Sequence, residues 1–258
     1  MPEAAGLYYE EHGSGAPLIL SAGMGGSGNY WRPNLPALAA RFRVILYDHR
    51  GTARSDRTVT PRLESIGEDI ARLMDALGIG RAAILGHAIG GMGGLSLALE
   101  APERIDRLVV VNGWGRLDPY TRRCFHARLA LLRAYGAGKY VDAQPIFLFP
   151  PQWISENSDR LDEEAKHHVA GFPVEMVEAR ILEALEFDLI DRLKATPLET
   201  PVLLLASDDD ALVPPACSER LAQAIPQAQL VRMPWGGHAC NVTDPTGFEA
   251  RVLAFLGS

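Results

Sequence analysis

The residues able to do chemistry fall in stretches that lie far apart in the chain: Gly86-His87-Ala88-Ile89-Gly90, Ser207-Asp208-Asp209-Asp210 and Gly236-Gly237-His238-Ala239-Cys240-Asn241. The first has the form of a strand–turn–helix elbow, G-x-S-x-G, whose central residue is ordinarily a nucleophile. Glycines at 86 and 90 fit that sharp turn, where side chains would crowd. The nucleophile's own position holds Ala88. A methyl group has no lone pair and no proton to give, so the covalent step of a serine nucleophile is closed here. Carboxylates and an imidazole can still move protons without any covalent intermediate.

The glycines of Ser21-Ala22-Gly23-Met24-Gly25-Gly26-Ser27-Gly28 let backbone N–H groups point at a ligand. The stretch is not a phosphate-binding P-loop, since no Gly-Lys-Ser/Thr follows. Asp48 and Arg50 are read as part of a turn held by hydrogen bonds and an ion pair. His126, His167 and His168 have no partner at metal-ligand spacing, so no metal and no cofactor are expected.

The elements that position these groups alternate. Strands are expected over Leu7–Glu11, Leu18–Leu20, Phe42–Tyr47, Ala82–Leu85, Ile105–Val111, Pro201–Ala206 and Gln229–Met233. Ile66, Ile70, Leu73 and Leu77 recur at helical spacing, and Gly78 stops that helix. Helices also follow the elbow to about Glu100, follow Pro214 to about Ile225, and close the chain over Pro245–Phe255. This alternation gives a doubly wound, mostly parallel sheet. Ligands of such sheets bind outside the carboxyl ends of the strands. The elbow, the Asp208–Asp210 loop and the His238 loop should all open there. From about Arg116 to Ala195 the apolar spacing is helical and prolines punctuate it. That segment is expected as an inserted helical cap over 114–196, with a core built from 1–113 and 197–258.

The chain has 258 residues, 47% of them hydrophobic, and a formal charge of −7. That suits one α/β domain with a large core. The negative charge argues against nucleic acid. No run approaches the roughly 18 apolar residues of a membrane span. Met1-Pro2-Glu3-Ala4 lacks the regions of a signal peptide. Cys124, Cys217 and Cys240 cannot all pair and form no C-x-x-C, as expected for free thiols in a reducing cytoplasm. The expected partner is a small-molecule substrate, with no nucleic acid and no membrane; a homodimer stays open.

The order elbow, acid, histidine resembles the α/β-hydrolase superfamily. Tyr47-Asp48-His49-Arg50-Gly51, Asp210-Ala211-Leu212-Val213-Pro214 and Gly237-His238 strengthen the resemblance, which spans nearly the whole chain. It implies an α/β-hydrolase fold, with Asp210 as triad acid and His238 as triad base. Met24 and Ile89 would then supply oxyanion N–H groups, with Gly23 beside them. Asn112-Gly113-Trp114, Thr121-Arg122-Arg123-Cys124-Phe125, Ala143-Gln144-Pro145 and the run from Gly236 to Pro245 further resemble the pyrimidine utilization protein D family. That family is described as a carbamate or aminoacrylate hydrolase of bacterial uracil degradation, and its elbow also reads G-H-A-x-G.

Carbamate falls apart once its nitrogen is protonated, so a missing serine is no obstacle. A histidine suits the proton transfer, and backbone N–H groups suit the small carboxylate. Aminoacrylate would use the same dyad for hydrolytic deamination. His87 should point away from the attack site and serve as pocket wall. Cys240 and Ser27 are remote alternative nucleophiles. Arg122 and Arg123 are candidates to clamp a carboxylate from the cap, and Tyr30 to line the pocket. A non-catalytic small-ligand binder and cofactor-free oxygenase-type base chemistry are the competing functions, weighed on the site and not on the fold.

Overall fold

A computed structural model describes residues 3–58 and 62–257. Its strands are β1 (Glu3–Ala4), β2 (Leu7–His12), β3 (Pro17–Ser21), β4 (Arg43–Tyr47), β5 (Ala82–His87), β6 (Ile105–Val111), β7 (Val202–Ser207) and β8 (Gln229–Met233). They form one sheet in the order β1-β2-β4-β3-β5-β6-β7-β8. β1 pairs antiparallel with β2, and β2 with β4; every later pairing is parallel. Only β1 lies outside the strands anticipated from sequence; at two residues it is too short to leave a pattern.

The central strands are buried on both faces, and their side chains sort by parity between two cores. Ile19, Ile45, Ile84, Leu108, Val110, Val202 and Leu204 face one side. Leu18, Leu20, Val44, Leu46, Leu85, Val109, Val111, Leu203 and Leu205 face the other. The helices covering them are α1 (Leu35–Ala39), α2 (Ser65–Ala76), α3 (Ile89–Glu100), α4 (Pro119–Leu148), α5 (Pro151–Glu156), α6 (Ser158–Ala170), α7 (Val174–Glu186), α8 (Ile190–Ala195), α9 (Pro215–Ala224), α10 (Cys240–Thr243) and α11 (Pro245–Leu256). Short 3₁₀ turns fill Gly28–Asn34 and Pro102–Arg104.

The helix after the elbow, α3, is rich in glycine, a poor helix former. Close approach accounts for it. A Cβ at Gly93 would lie 2.4 Å from Ile66 Cγ2 on α2, and one at Gly94 would lie 2.6 Å from Leu108 Cδ1 on β6. Small residues let α3 slot between α2 and the sheet.

Between β6 and β7 the described residues form α4 to α8 and add no strand to the sheet; an isolated bridge joins Arg116 to Asp188. Gly136, at φ +71°, breaks α4 into two helical halves. The segment touches the glycine-rich loop, the loop after β7 and the histidine loop at the carboxyl edge. Arg180 Nη1 on α7 donates to Met24 O at 2.9 Å. Tyr120 Oη on α4 donates to Ala211 O at 2.8 Å. At the far end of α4, Leu148 O accepts from Ala239 N at 3.0 Å. Among the described residues no helix is long and apolar enough to cross a membrane.

Candidate active site

The elbow sits at the carboxyl end of β5. Ala88 takes φ 47° and ψ −116°, a conformation that costs an L-residue energy and persists only where its surroundings enforce it. The surroundings are tight. A Cβ at Gly86 would lie 2.4 Å from Gly91 N, and one at Gly90 would lie 2.4 Å from Ser21 O. Ala88 N donates to Val111 O at 2.8 Å, which ties the turn to β6. The strained turn is therefore kept although its serine is gone. Ala88 is 4% exposed.

Of the consecutive aspartates after β7, only Asp210 meets the histidine. His238 Nδ1–H donates to Asp210 Oδ2 at 2.7 Å. The other oxygen, Oδ1, accepts from Leu212 N and Val213 N, each at 2.8 Å. These charge-assisted bonds fix the carboxylate and, through it, the imidazole tautomer. Asp209 has a different role. Its carboxylate accepts from Gly237 N at 2.8 Å and from Ser207 Oγ at 3.0 Å, holding the histidine loop. Asp208 pairs with Arg232 at the surface. His238 Nε2 makes no hydrogen bond to the protein among the described residues.

His87 lies against the dyad. Its Nε2–H donates to His238 O at 2.9 Å, and the two rings are 4.6 Å apart at 60°. Burial, and then the neighbouring His238, hold its pKa well below the ordinary histidine range, so it is neutral. Its Nδ1 is buried without a partner. A Cβ at Gly23 would come within 2.6 Å of that nitrogen, so glycine lets the loop close over the ring. Tyr30 stacks on His87 at 4.8 Å and donates from Oη to Asn241 Oδ1 at 2.6 Å. The amides of Met24 and Ile89 donate to no protein group among the described residues. Together with the free His238 Nε2 they remain available to a ligand.

The alternative nucleophiles are placed elsewhere. Cys240 is fully buried, and burial, with Asp210 adding to it, pushes its thiol up to about 12. Ser27 Oγ turns to Asp48 at 3.4 Å. The arginine expectation is corrected. Arg122 leaves the site to donate to Leu185 O at 2.8 Å, and Arg123 donates to Pro119 O on its own helix. Both follow the outer side of α4 into solvent. Asp48 and Arg50 both form ion pairs, but not with each other: Asp48 pairs with Arg54 in the turn, and Arg50 with Asp69 on α2. Among the described residues no group of three or more His, Cys, Asp or Glu is arranged to hold a metal ion.

Sequence reasoning missed Asn112. At φ 48° it follows β6, donates from Nδ2 to His238 O at 2.8 Å and accepts from Ser207 N at 2.9 Å. One amide thus couples the histidine loop to the end of β7. The signal was an asparagine closing an apolar strand, a residue type that tolerates positive φ. Two buried arginines were also missed. Arg180 is 1% exposed; burial lowers its pKa to about 10, and it clamps Met24 O and Arg50 O. Arg128 is 3% exposed within α4.

Comparison with known proteins agrees with this geometry. The family model described as "alpha/beta hydrolase fold" matches residues 16–245. A Caulobacter sp. (strain K31) protein named "Putative carbamate hydrolase RutD" is 53% identical, over 97% of this chain and 96% of its own. A protein of the same name from Serratia proteamaculans (strain 568) is 43% identical, over 97% and 96%. Among solved structures, a hydrolase from Pseudomonas aeruginosa PA01 superposes with a TM-score of 0.84 at 32% identity, over 98% of this chain and 94% of its own. The elbow, its acid and its histidine at the carboxyl edge of one parallel sheet and these full-length matches agree: the chain belongs to the α/β-hydrolase fold family and, within it, to the RutD family.

Proposed function

We propose that this protein is a cytoplasmic hydrolase of pyrimidine degradation that breaks carbamate down to ammonia and carbon dioxide without a covalent intermediate. The observation that carries the proposal is the His238–Asp210 pair, complete at 2.7 Å, beside an elbow whose nucleophile position is Ala88. The names of the RutD relatives supply the substrate class.

Asp210 accepts the hydrogen bond of His238 Nδ1–H and fixes the orientation of the ring, as a triad acid does. The Nε2 proton then faces the substrate. It passes to the amino nitrogen of the carbamate anion. The C–N bond breaks with its electron pair going to nitrogen, and a carboxylate lone pair closes the second C=O of carbon dioxide. Neutral His238 regains a proton from water. The net change is carbamate plus one proton giving ammonia and carbon dioxide. The N–H groups of Met24 and Ile89 serve to orient the carboxylate. Neutral His87 acts as a wall that steadies the carbonyl of His238. The helices of 114–196 act as a cap that excludes water over the core. General acid help of this kind contributes on the order of 10²–10⁴-fold, sufficient for a reaction already fast in water.

The test is ammonia release from carbamate, and separately from 3-aminoacrylate, with the purified protein against buffer alone. Acceleration with carbamate is expected. Acceleration with aminoacrylate alone would replace the substrate but keep the dyad. No acceleration with either would overturn the catalytic reading in favour of a binding protein.

A further inference from the structure

The break at Gly136 sets the two halves of α4 side by side, so that Arg128 in the first meets Tyr140 and Gln144 in the second. Arg128 Nη2 donates to Tyr140 Oη at 2.7 Å and to Gln144 Oε1 at 2.8 Å. Both acceptors are neutral. The rings of Tyr140, Phe125 and Phe147 lie 5.3, 5.6 and 5.8 Å from its Cζ. Arg128 is 3% exposed, and its Nε is buried with no partner. No carboxylate forms an ion pair with it among the described residues.

An arginine cannot shed its charge in a protein. Burying that charge is strongly unfavourable unless an anion answers it. Cation–π contacts with the surrounding rings offset only part of this cost. A methionine or leucine would pack between the two halves of α4 at lower cost. The other buried arginine, Arg180, has a structural role, since it bridges the carbonyls of Met24 and Arg50 and so ties α7 to the core. Arg128 makes no such tie. Its hydrogen-bond partners both lie on its own helix.

Its location is informative. Cys124 lies one helical turn earlier on the same face, and its thiol reaches Ala211 O at 3.7 Å, beside Asp210. Electrostatically Cys124 responds to both Arg128 and Asp210. In the second half, Phe147 precedes Leu148, whose carbonyl holds Ala239 next to His238. Arg128 therefore sits between the two places where α4 rests on the dyad's loops.

We propose that Arg128 is the carboxylate anchor of this site, and that the anion missing from its surroundings is the –COO⁻ of a small monocarboxylate substrate. The inference deepens the proposed function and rests on the reading of this site as one for a small carboxylate. Nε–H, left free, offers a carboxylate one charge-assisted bond, while Nη2 stays with Tyr140 and Gln144. In carbamate breakdown the negative charge disappears as carbon dioxide forms. A cation at the carboxylate thus holds the ground state at least as well as the transition state. Arg128 is a capture residue, and its loss should act on KM more than on kcat.

The probes are acetate and acetamide, which share a shape and differ in charge. Binding is followed by calorimetry and by the ¹⁵N resonance of Arg128 Nε–H. Wild-type protein should bind acetate at least about tenfold more tightly than acetamide, and acetate alone should shift the Nε–H resonance. Arg128→Gln should remove the preference, and Arg128→Lys should keep part of it. With carbamate, Arg128→Gln should raise KM by about 10- to 100-fold, with kcat falling by less. Equal affinity of the wild type for both probes, or an unshifted Nε–H, would overturn the proposal without any variant having to fold. So would a folded Arg128→Gln that still prefers acetate. Acetate binding at Arg128 with no carbamate turnover would sink the carbamate reading and keep the anchor. Carbamate turnover whose KM ignores Arg128→Gln would do the reverse.

Discussion

Replacing Asp210 with asparagine changes one atom type and should stop catalysis. In the native site Oδ1 accepts from Leu212 N and Val213 N at 2.8 Å, while Oδ2 accepts from His238 Nδ1 at 2.7 Å. An amide has a single acceptor oxygen. Two loop N–H groups compete for it against one imidazole N–H, so the oxygen should stay with the loop and the amide nitrogen should face His238. Nδ1 must then be an acceptor, and the ring proton moves to Nε2. The doubly protonated imidazolium would set N–H against N–H, with no carboxylate to balance its charge. A lost charge-assisted bond alone is worth about 1.5–3 kcal/mol. With the loss of the acidic form, kcat should fall on the order of 10²–10⁴-fold. Stopped-flow ammonia release from carbamate reads the rate, and ¹⁵N chemical shifts of the ring read the tautomer. Asp209→Asn is the control. Its amide oxygen can keep the bond to Gly237 N, so kcat should fall less than about tenfold. A folded Asp210→Asn protein with kcat within about threefold of wild type, or with the wild-type tautomer, would refute the reasoning.

Other outcomes follow from the same contacts. Wild-type protein should resist serine-directed phosphonates, whereas Ala88→Ser should become labelled at position 88 and gain weak activity on small activated esters, read by mass spectrometry and nitrophenyl acetate hydrolysis. Gly90→Ala would push a Cβ to 2.4 Å from Ser21 O, a backbone atom that cannot move aside, so urea unfolding should show a loss of about 1–3 kcal/mol. His49 and His87 are both held neutral by burial, His49 also by Arg180, so their folded pKa values lie well below the unfolded value near 6.5. Below that pH the unfolded chain takes up protons that the fold refuses; the two together should cost about 2 kcal/mol between pH 6.5 and 5.5, and a flat urea profile over that interval would contradict it.

The alternating strands and helices were legible because burial on both faces demands unbroken apolar runs such as Ala82–Leu85 and Val202–Leu205. The elbow was legible for a steric reason: Gly86 and Gly90 stand where no Cβ fits. The choice among Asp208, Asp209 and Asp210 was not settled by sequence alone, since three aspartates in a row differ only in where the loop points them; it rested on resemblance. Arg128 and Arg180 were invisible for a related reason. Arginine in a helix ordinarily reads as a solvent-facing charge, and the break at Gly136 hides the face on which Arg128 lies. Arg122 and Arg123 were candidates as cations of the cap able to clamp a carboxylate, yet neighbours in a helix point some 100° apart and neither turns to the site. Asn112 needed the fold, because its partners lie near residues 207 and 238.

The central claim is that His238, steadied by Asp210, is the proton donor at a site without a nucleophile. Its most direct test is the decay of ¹³C-carbamate followed by NMR in the presence of wild-type protein, of His238→Ala, and of buffer alone. Wild-type protein should accelerate the decay, and His238→Ala, folded by circular dichroism, should return it to the buffer rate. A folded His238→Ala protein that retains the full acceleration would contradict the account.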